Sequence, residues 1–155
     1  MPTHFIKLNH GWNAEPNAPH PSVALDNGSV KLTFYVNAFQ FESFDEDEVA
    51  TLTFSNVHKY RMGPTNDEGW YRGQCRFSKI APQWGEFYEI IGDTMMNKSP
   101  NDWIEVSDTT KDDQKHYLFY LKDETFECIA DSWCLNKEAA NKALVGTPLR
   151  GAPQL

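Results

Sequence analysis

Long hydrophobic runs are missing from this sequence. No window approaches the ~18 consecutive apolar residues that a membrane span needs, so a membrane is not expected among its partners. The first ten residues, Met-Pro-Thr-His-Phe-Ile-Lys-Leu-Asn-His, lack the charged start and apolar core of a signal peptide, and a cytoplasmic location is expected. Cysteine is scarce and odd in number: Cys75, Cys128 and Cys134. That spacing is no disulfide framework and reads as free thiols, with a single bridge such as Cys128 to Cys134 left open. Basic charge is in deficit, with 14 Lys and Arg against 22 Asp and Glu and a net charge of -8. Phosphate backbones are bound by an excess of Lys and Arg, so nucleic acid is not expected as a partner.

Catalytic and cofactor motifs are lacking as well. No glycine-rich phosphate loop, dinucleotide fingerprint or nucleophile elbow occurs. The five histidines, His4, His10, His20, His58 and His116, show no paired spacing. A zinc site needs three or four converging ligands, so no metal or cofactor is expected. Paired carboxylates such as Glu86 with Glu89, or Glu124 with Glu127, arise by chance among so many acidic residues.

What is present is aromatic. Phe, Trp and Tyr make up 14% of the chain, which favours strands, where flat rings pack on a pleated surface. Val23 and Leu25, then Asp26-Asn27-Gly28-Ser29, then Val30, Leu32, Phe34 and Val36 form a hairpin signature, because Asn and Gly tolerate positive φ. The alternation continues through Phe39, Phe41 and Phe44. Asp45 to Glu48 reads as a solvated turn, and Val49 to Tyr60 as one further strand. Thr3–Leu8, Trp70–Ile80, Glu86–Ile91 and Trp103–Val106 read as strands. His116–Leu121 and Thr125–Ala130 form a second hairpin, whose first strand is apolar on both faces and so is expected to be central.

Only Lys137 to Val145 looks helical, with Asn136 as a cap and Gly146 as a stop. The expected fold is therefore all-β, or β-rich α+β: an antiparallel sandwich or partly open barrel of about eight strands with one short C-terminal helix. Residues 1–146 would form a single domain and 147–155 a loose tail.

Two segments attract functional readings. Between Tyr60 and Glu89 stand three of the four arginines, two of the five tryptophans and three of the six tyrosines. Arg, Trp and Tyr combine contact area with a directional polar group and dominate binding energetics. Arg61, Arg72 and Arg76 would supply charge-assisted contacts, Trp70, Tyr71 and Trp84 apolar anchors, and Asp67 and Glu68 a carboxylate pair. The bland alternative is that Asp67 and Glu68 pair with Arg61 or Arg72 inside the chain while the aromatics fill a core. The second segment, Asn9 to Pro21, carries three prolines and a glycine that forbid regular structure. It also carries Trp12, a large ring that gains by packing, and His10, Glu15 and His20 lie around it as groups that could converge on a site.

The texture of Asn9-His10-Gly11-Trp12-Asn13-Ala14-Glu15-Pro16 and of Asn66-Asp67-Glu68-Gly69-Trp70-Tyr71-Arg72-Gly73 is similar to that of small bacterial proteins. In acidity and tryptophan content the chain resembles the immunity proteins that neutralise secreted bacterial toxins. That resemblance is compositional and transfers no residues. The first expectation is thus a non-catalytic module that docks a protein partner, or else a small anionic ligand. The second is a small acid–base enzyme using His10, Glu68 or His58 in a β pocket. The third is a self-associating dimer paired through exposed strand edges.

Overall fold

The structure, a computed structural model, describes residues 3–41, 44–45, 48–64, 83–92, 102–108 and 113–138. These residues form ten strands in two antiparallel sheets that pack as a sandwich rather than closing into a barrel. The strands are β1 (His4–Lys7), β2 (Ser22–Asp26), β3 (Ser29–Tyr35), β4 (Val49–Ser55), β5 (Lys59–Gly63), β6 (Phe87–Ile91), β7 (Ile104–Glu105), β8 (Lys115–Tyr120), β9 (Thr125–Ala130) and β10 (Ser132–Glu138). The larger sheet runs β1-β6-β8-β9-β5-β7, and the smaller β10-β4-β3-β2. No described helix is long and apolar enough to cross a membrane.

Alternation decides which residues meet. In the smaller sheet Val30, Leu32 and Phe34 of β3 stand opposite Phe54, Leu52 and Ala50 of β4, and all six point inward and are buried. The larger sheet answers with Phe87, Tyr117, Phe119, Phe126 and Cys128. Rings dominate the seam: Phe34 meets Phe119 edge-on at 5.2 Å, and Phe54 lies 5.4 Å from both Tyr117 and Phe126. β8 is central, as its two apolar faces predict. Its outward residues Leu118 and Tyr120 are also buried, in a second cluster with Tyr88 and Ile90 against which Phe5 and Trp84 pack.

Two hairpins agree with the sequence. Between β2 and β3, Asn27 (φ 51°) and Gly28 (φ 85°) take the left-handed conformation that a tight hairpin turn demands, and β8 pairs with β9 as expected. Elsewhere the structure departs. The run Val49–Tyr60 is two strands in different sheets, because Asn56 turns the chain at φ 53°. The alternation expected through Phe39 and Phe41 gives way to a turn: the Asn37 side chain accepts a hydrogen bond from the Gln40 N–H at 3.2 Å and so offers the backbone a competing partner. Glu48 is buried rather than solvated, its Oε1 accepting from the Asp45 N–H at 2.8 Å.

The predicted C-terminal helix is not supported, and its first residues, Lys137 and Glu138, close β10 instead. From Ser132 to Glu138 this strand pairs residue for residue with β4, and a ready ladder outweighs the weak helix preference of a short Ala-rich run. Residues 139–145 of that prediction, like the predicted strand Trp70–Ile80, lie outside the described residues. Cys128 is buried and Cys134 exposed, and neither is bridged.

Candidate functional site

Trp12 is the residue around which the candidate site is built. It is 6% exposed, and its ring lies 6.0 Å from Phe34, 6.1 Å from Phe87 and 6.0 Å from Phe119. The proline-rich segment that carries it cannot form a ladder of its own, so burying this ring draws the segment across one end of the sandwich. The backbone is then pinned to the far end of β3. Asn37 N–H donates to the Asn13 carbonyl, Glu15 N–H to the Tyr35 carbonyl, and Tyr35 N–H to the Pro19 carbonyl, each at 2.8–2.9 Å.

Side chains complete the attachment. Asn9 Nδ2 donates to the Trp12 carbonyl at 2.9 Å and to Glu86 Oε1 at 3.0 Å, while Asn9 Oδ1 accepts from Phe87 N–H at 3.0 Å. Lys7 Nζ lies 3.0 Å from Glu86 Oε2. Glu86 is thereby neutralised although nearly buried, as a buried carboxylate must be.

Two clefts flank residues 13–18, where β3 and β8 finish and β6 begins. The larger, about 440 Å³, is lined by Glu15, Asn17, His20, Tyr35 and the 80% exposed Phe39. The smaller, about 280 Å³, is lined by Asn13, Asn37, Gln40, Trp84, Tyr120 and Lys122, and it shares Glu15 with the larger. In the smaller cleft the amides hold one another: Gln40 Oε1 accepts from Asn13 Nδ2 and from Asn37 Nδ2, each at 3.3 Å. Trp84 is stacked on Tyr120 with ring centroids 4.7 Å apart. Glu15 accepts from the N–H groups of Asn17 and Ala18, the latter at 2.7 Å.

The other sequence-predicted residues fall elsewhere. Trp12 serves the core, and it positions the clefts without lining them. Arg61 stands on the outer face of the larger sheet and is turned to its own chain. Its guanidinium grips both carboxylate oxygens of Asp102, at 2.7 and 3.1 Å, and donates to Glu127 Oε2 at 2.9 Å. Burial pulls the Arg61 pKa down, but the Asp102 hydrogen bond and the two nearby carboxylates outweigh it and the net shift is upward. The same bond holds Asp102 below the usual carboxylate range. Glu127, 1% exposed, also accepts from His116 Nε2 at 2.8 Å if that nitrogen carries the proton.

Asp67, Glu68, Trp70, Tyr71, Arg72 and Arg76 lie outside the described residues. Of the sequence-predicted anchors within them, only Trp84 lines a cleft. Among the groups considered for convergence, His20 and Glu15 share the larger cleft and exposed His10 is not in it. His58 Nδ1 lies 2.6 Å from the Ser107 carbonyl, where it secures a loop. Burial pushes the Cys128 thiol well above its ordinary range, which suits a core residue and not a nucleophile. Among the described residues no group of three or more His, Cys, Asp or Glu side chains is placed to hold a metal ion.

Asn13, Asn37 and Gln40 were not singled out in the sequence. The usable signal was the segment around Trp12: too rich in proline for regular structure, yet carrying a ring that had to be buried. Comparison with known protein families, curated proteins and solved structures gives no match.

Proposed function

We propose that the chain is a small binding protein without chemistry of its own, which takes its ligand at the paired clefts on either side of residues 13–18. The observation that carries this reading is the fixing of the cleft walls in advance. Backbone bonds pin residues 13–20 to β3, and the Asn13, Gln40 and Asn37 amides lock one another, so less ordering entropy is lost when a ligand binds.

Two facts favour binding over acid–base catalysis. His20 and Glu15 line one cleft, but both Glu15 oxygens accept backbone N–H groups. His116 and Glu127 do meet at 2.8 Å, yet their side chains are only 10% and 2% exposed and neither lines either of these two clefts. A basic partner protein is a second reading, favoured by the net charge of -8. An inhibitor of a basic toxin is its sharpest form.

The test is a side-by-side screen of wild type and a Gln40→Ala/Trp84→Ala variant against immobilised basic proteins, peptides, saccharides and small metabolites. A ligand held by wild type, lost by the variant and recovered chemically unchanged is the expected result. Equal retention by both proteins would move the site elsewhere, and conversion of the ligand would make the protein an enzyme.

A further inference from the structure

Resting on the cleft reading above, we propose that the two clefts form one continuous site for a neutral polyhydroxylated ligand, a saccharide of at least two rings lying across Glu15. Glu15, which lines both clefts, and Glu86, buried behind them, already accept hydrogen bonds. Glu15 is taken by the N–H groups of Asn17 and Ala18, and Glu86 by Asn9, Asn13 and Lys7. A cationic ligand would have to share Glu15 with these N–H groups, and it would meet Lys122 in the smaller cleft. An anionic one would face the Glu15 carboxylate, which lines both clefts.

A peptide is disfavoured for a different reason. Extended peptides bind by adding a strand to free backbone groups. Around these clefts the backbone groups pair with one another: Asn37 with Asn13, Glu15 with Tyr35, Tyr35 with Pro19, and Val36 with Glu48. None of these described backbone groups is left to begin a ladder.

What the site does present is side-chain amides beside aromatic rings. Each amide supplies both a donor and an acceptor, and each sugar hydroxyl needs both. Trp84 in one cleft and Tyr35 with Phe39 in the other supply flat apolar surface for the C–H face of a ring. Asn13 Oδ1 is buried without a hydrogen-bond partner among the described residues. Such an acceptor calls for a donor from outside, supplied by a hydroxyl or through one bound water. The larger cleft lies within the roughly 300–1,000 Å³ usual for small-ligand sites, and the smaller adds about 280 Å³ on the other side of the shared Glu15.

The experiment is calorimetric and NMR titration of the full chain with cellobiose, maltose, lactose and chitobiose, with inorganic phosphate and a proline-rich peptide as contrasting probes. At least one disaccharide is expected to bind and its monosaccharide more weakly. Trp84→Ala should weaken binding about tenfold, the scale of one lost ring contact, and Phe39→Ala should weaken the disaccharide more than the monosaccharide. Phe39 and Gln40 are both exposed, so Phe39→Ala and Gln40→Ala keep the test decisive should Trp84→Ala fail to fold. If phosphate or peptide binds in a cleft-dependent way while every saccharide fails, the saccharide proposal is overturned and the cleft reading survives. If no probe of any class responds to the cleft variants, both are overturned.

Discussion

At the scale of single residues, burial separates anchors of the fold from groups offered to a ligand. Trp12 appears in the sequence as a binding ring, but it is enclosed by Phe34, Phe87, Phe119 and Trp133. Trp12→Ala is expected to cost about 3–5 kcal/mol, the range for emptying a large aromatic site in a core. Urea unfolding measures this, and a loss below 1 kcal/mol would place Trp12 on the surface after all. Arg61 carries a parallel expectation. Removing it strips the guanidinium from a carboxylate that is 1% exposed, so Arg61→Ala should destabilise by about 3–5 kcal/mol. The double change Arg61→Met/Glu127→Leu should recover much of that, because no buried charge is then left behind.

Gly63 belongs to the same arrangement. It stands two residues along β5 on the Arg61 face, and a Cβ there would strike the Arg61 guanidinium. Gly63→Ala should therefore loosen the grip on Asp102 without changing any charge, a shift that the Asp102 carboxyl resonance would report.

At the scale of elements, ionisation shows how segments are held. Asp102 adds a side-chain attachment to the pairing of β7 with β5, and Lys59 Nζ lies 4.7 Å over the Trp103 ring beside it. The folded-state pKa of Asp102 is depressed, mainly by the hydrogen bond from Arg61. Its contribution is therefore present above the ordinary carboxylate value and is lost as pH falls through the lower folded value. The hydrogen-exchange protection of β7, taken relative to the intrinsic rate at each pH, should fall on acidification in wild type and change less in Asp102→Asn.

Tyr88 and Tyr117, on β6 and β8, behave in the opposite sense. Burial pushes each hydroxyl up to about 12. Their contribution is complete below the ordinary tyrosine value near 10 and is lost as pH rises toward about 12. Ultraviolet titration should show Tyr88 and Tyr117 among the tyrosines that ionise late, and Tyr88→Phe should remove one late step.

At the scale of the whole molecule, the two sheets predict a gradient of protection. β4, β8 and β9 are interior strands of their sheets, while β2 and β7 lie at edges, with Leu25 56% and Ile104 48% exposed. Native-state hydrogen exchange should be slowest in the first three and fastest in the last two. Equal protection throughout would contradict the sandwich.

The sequence by itself determined whatever depends on neighbours along the chain. Asn27-Gly28 dictated a hairpin because two adjacent residues must both accept positive φ, and the two apolar faces of His116–Leu121 dictated a central strand because neither face can be left in water. Only the tertiary structure decided the rest. Val49–Tyr60 alternates as far as Phe54, and its division at Asn56 into strands of different sheets reflects which sheet each half can join. Ser132–Glu138 is a strand because β4 was there to pair with it. The cleft was decided in the same way: Asn13 reaches Gln40 across 27 residues and Glu86 across 73. An isolated amide leaves no pattern in a sequence, and it becomes a binding group only when packing brings others to it and takes its competing partners away.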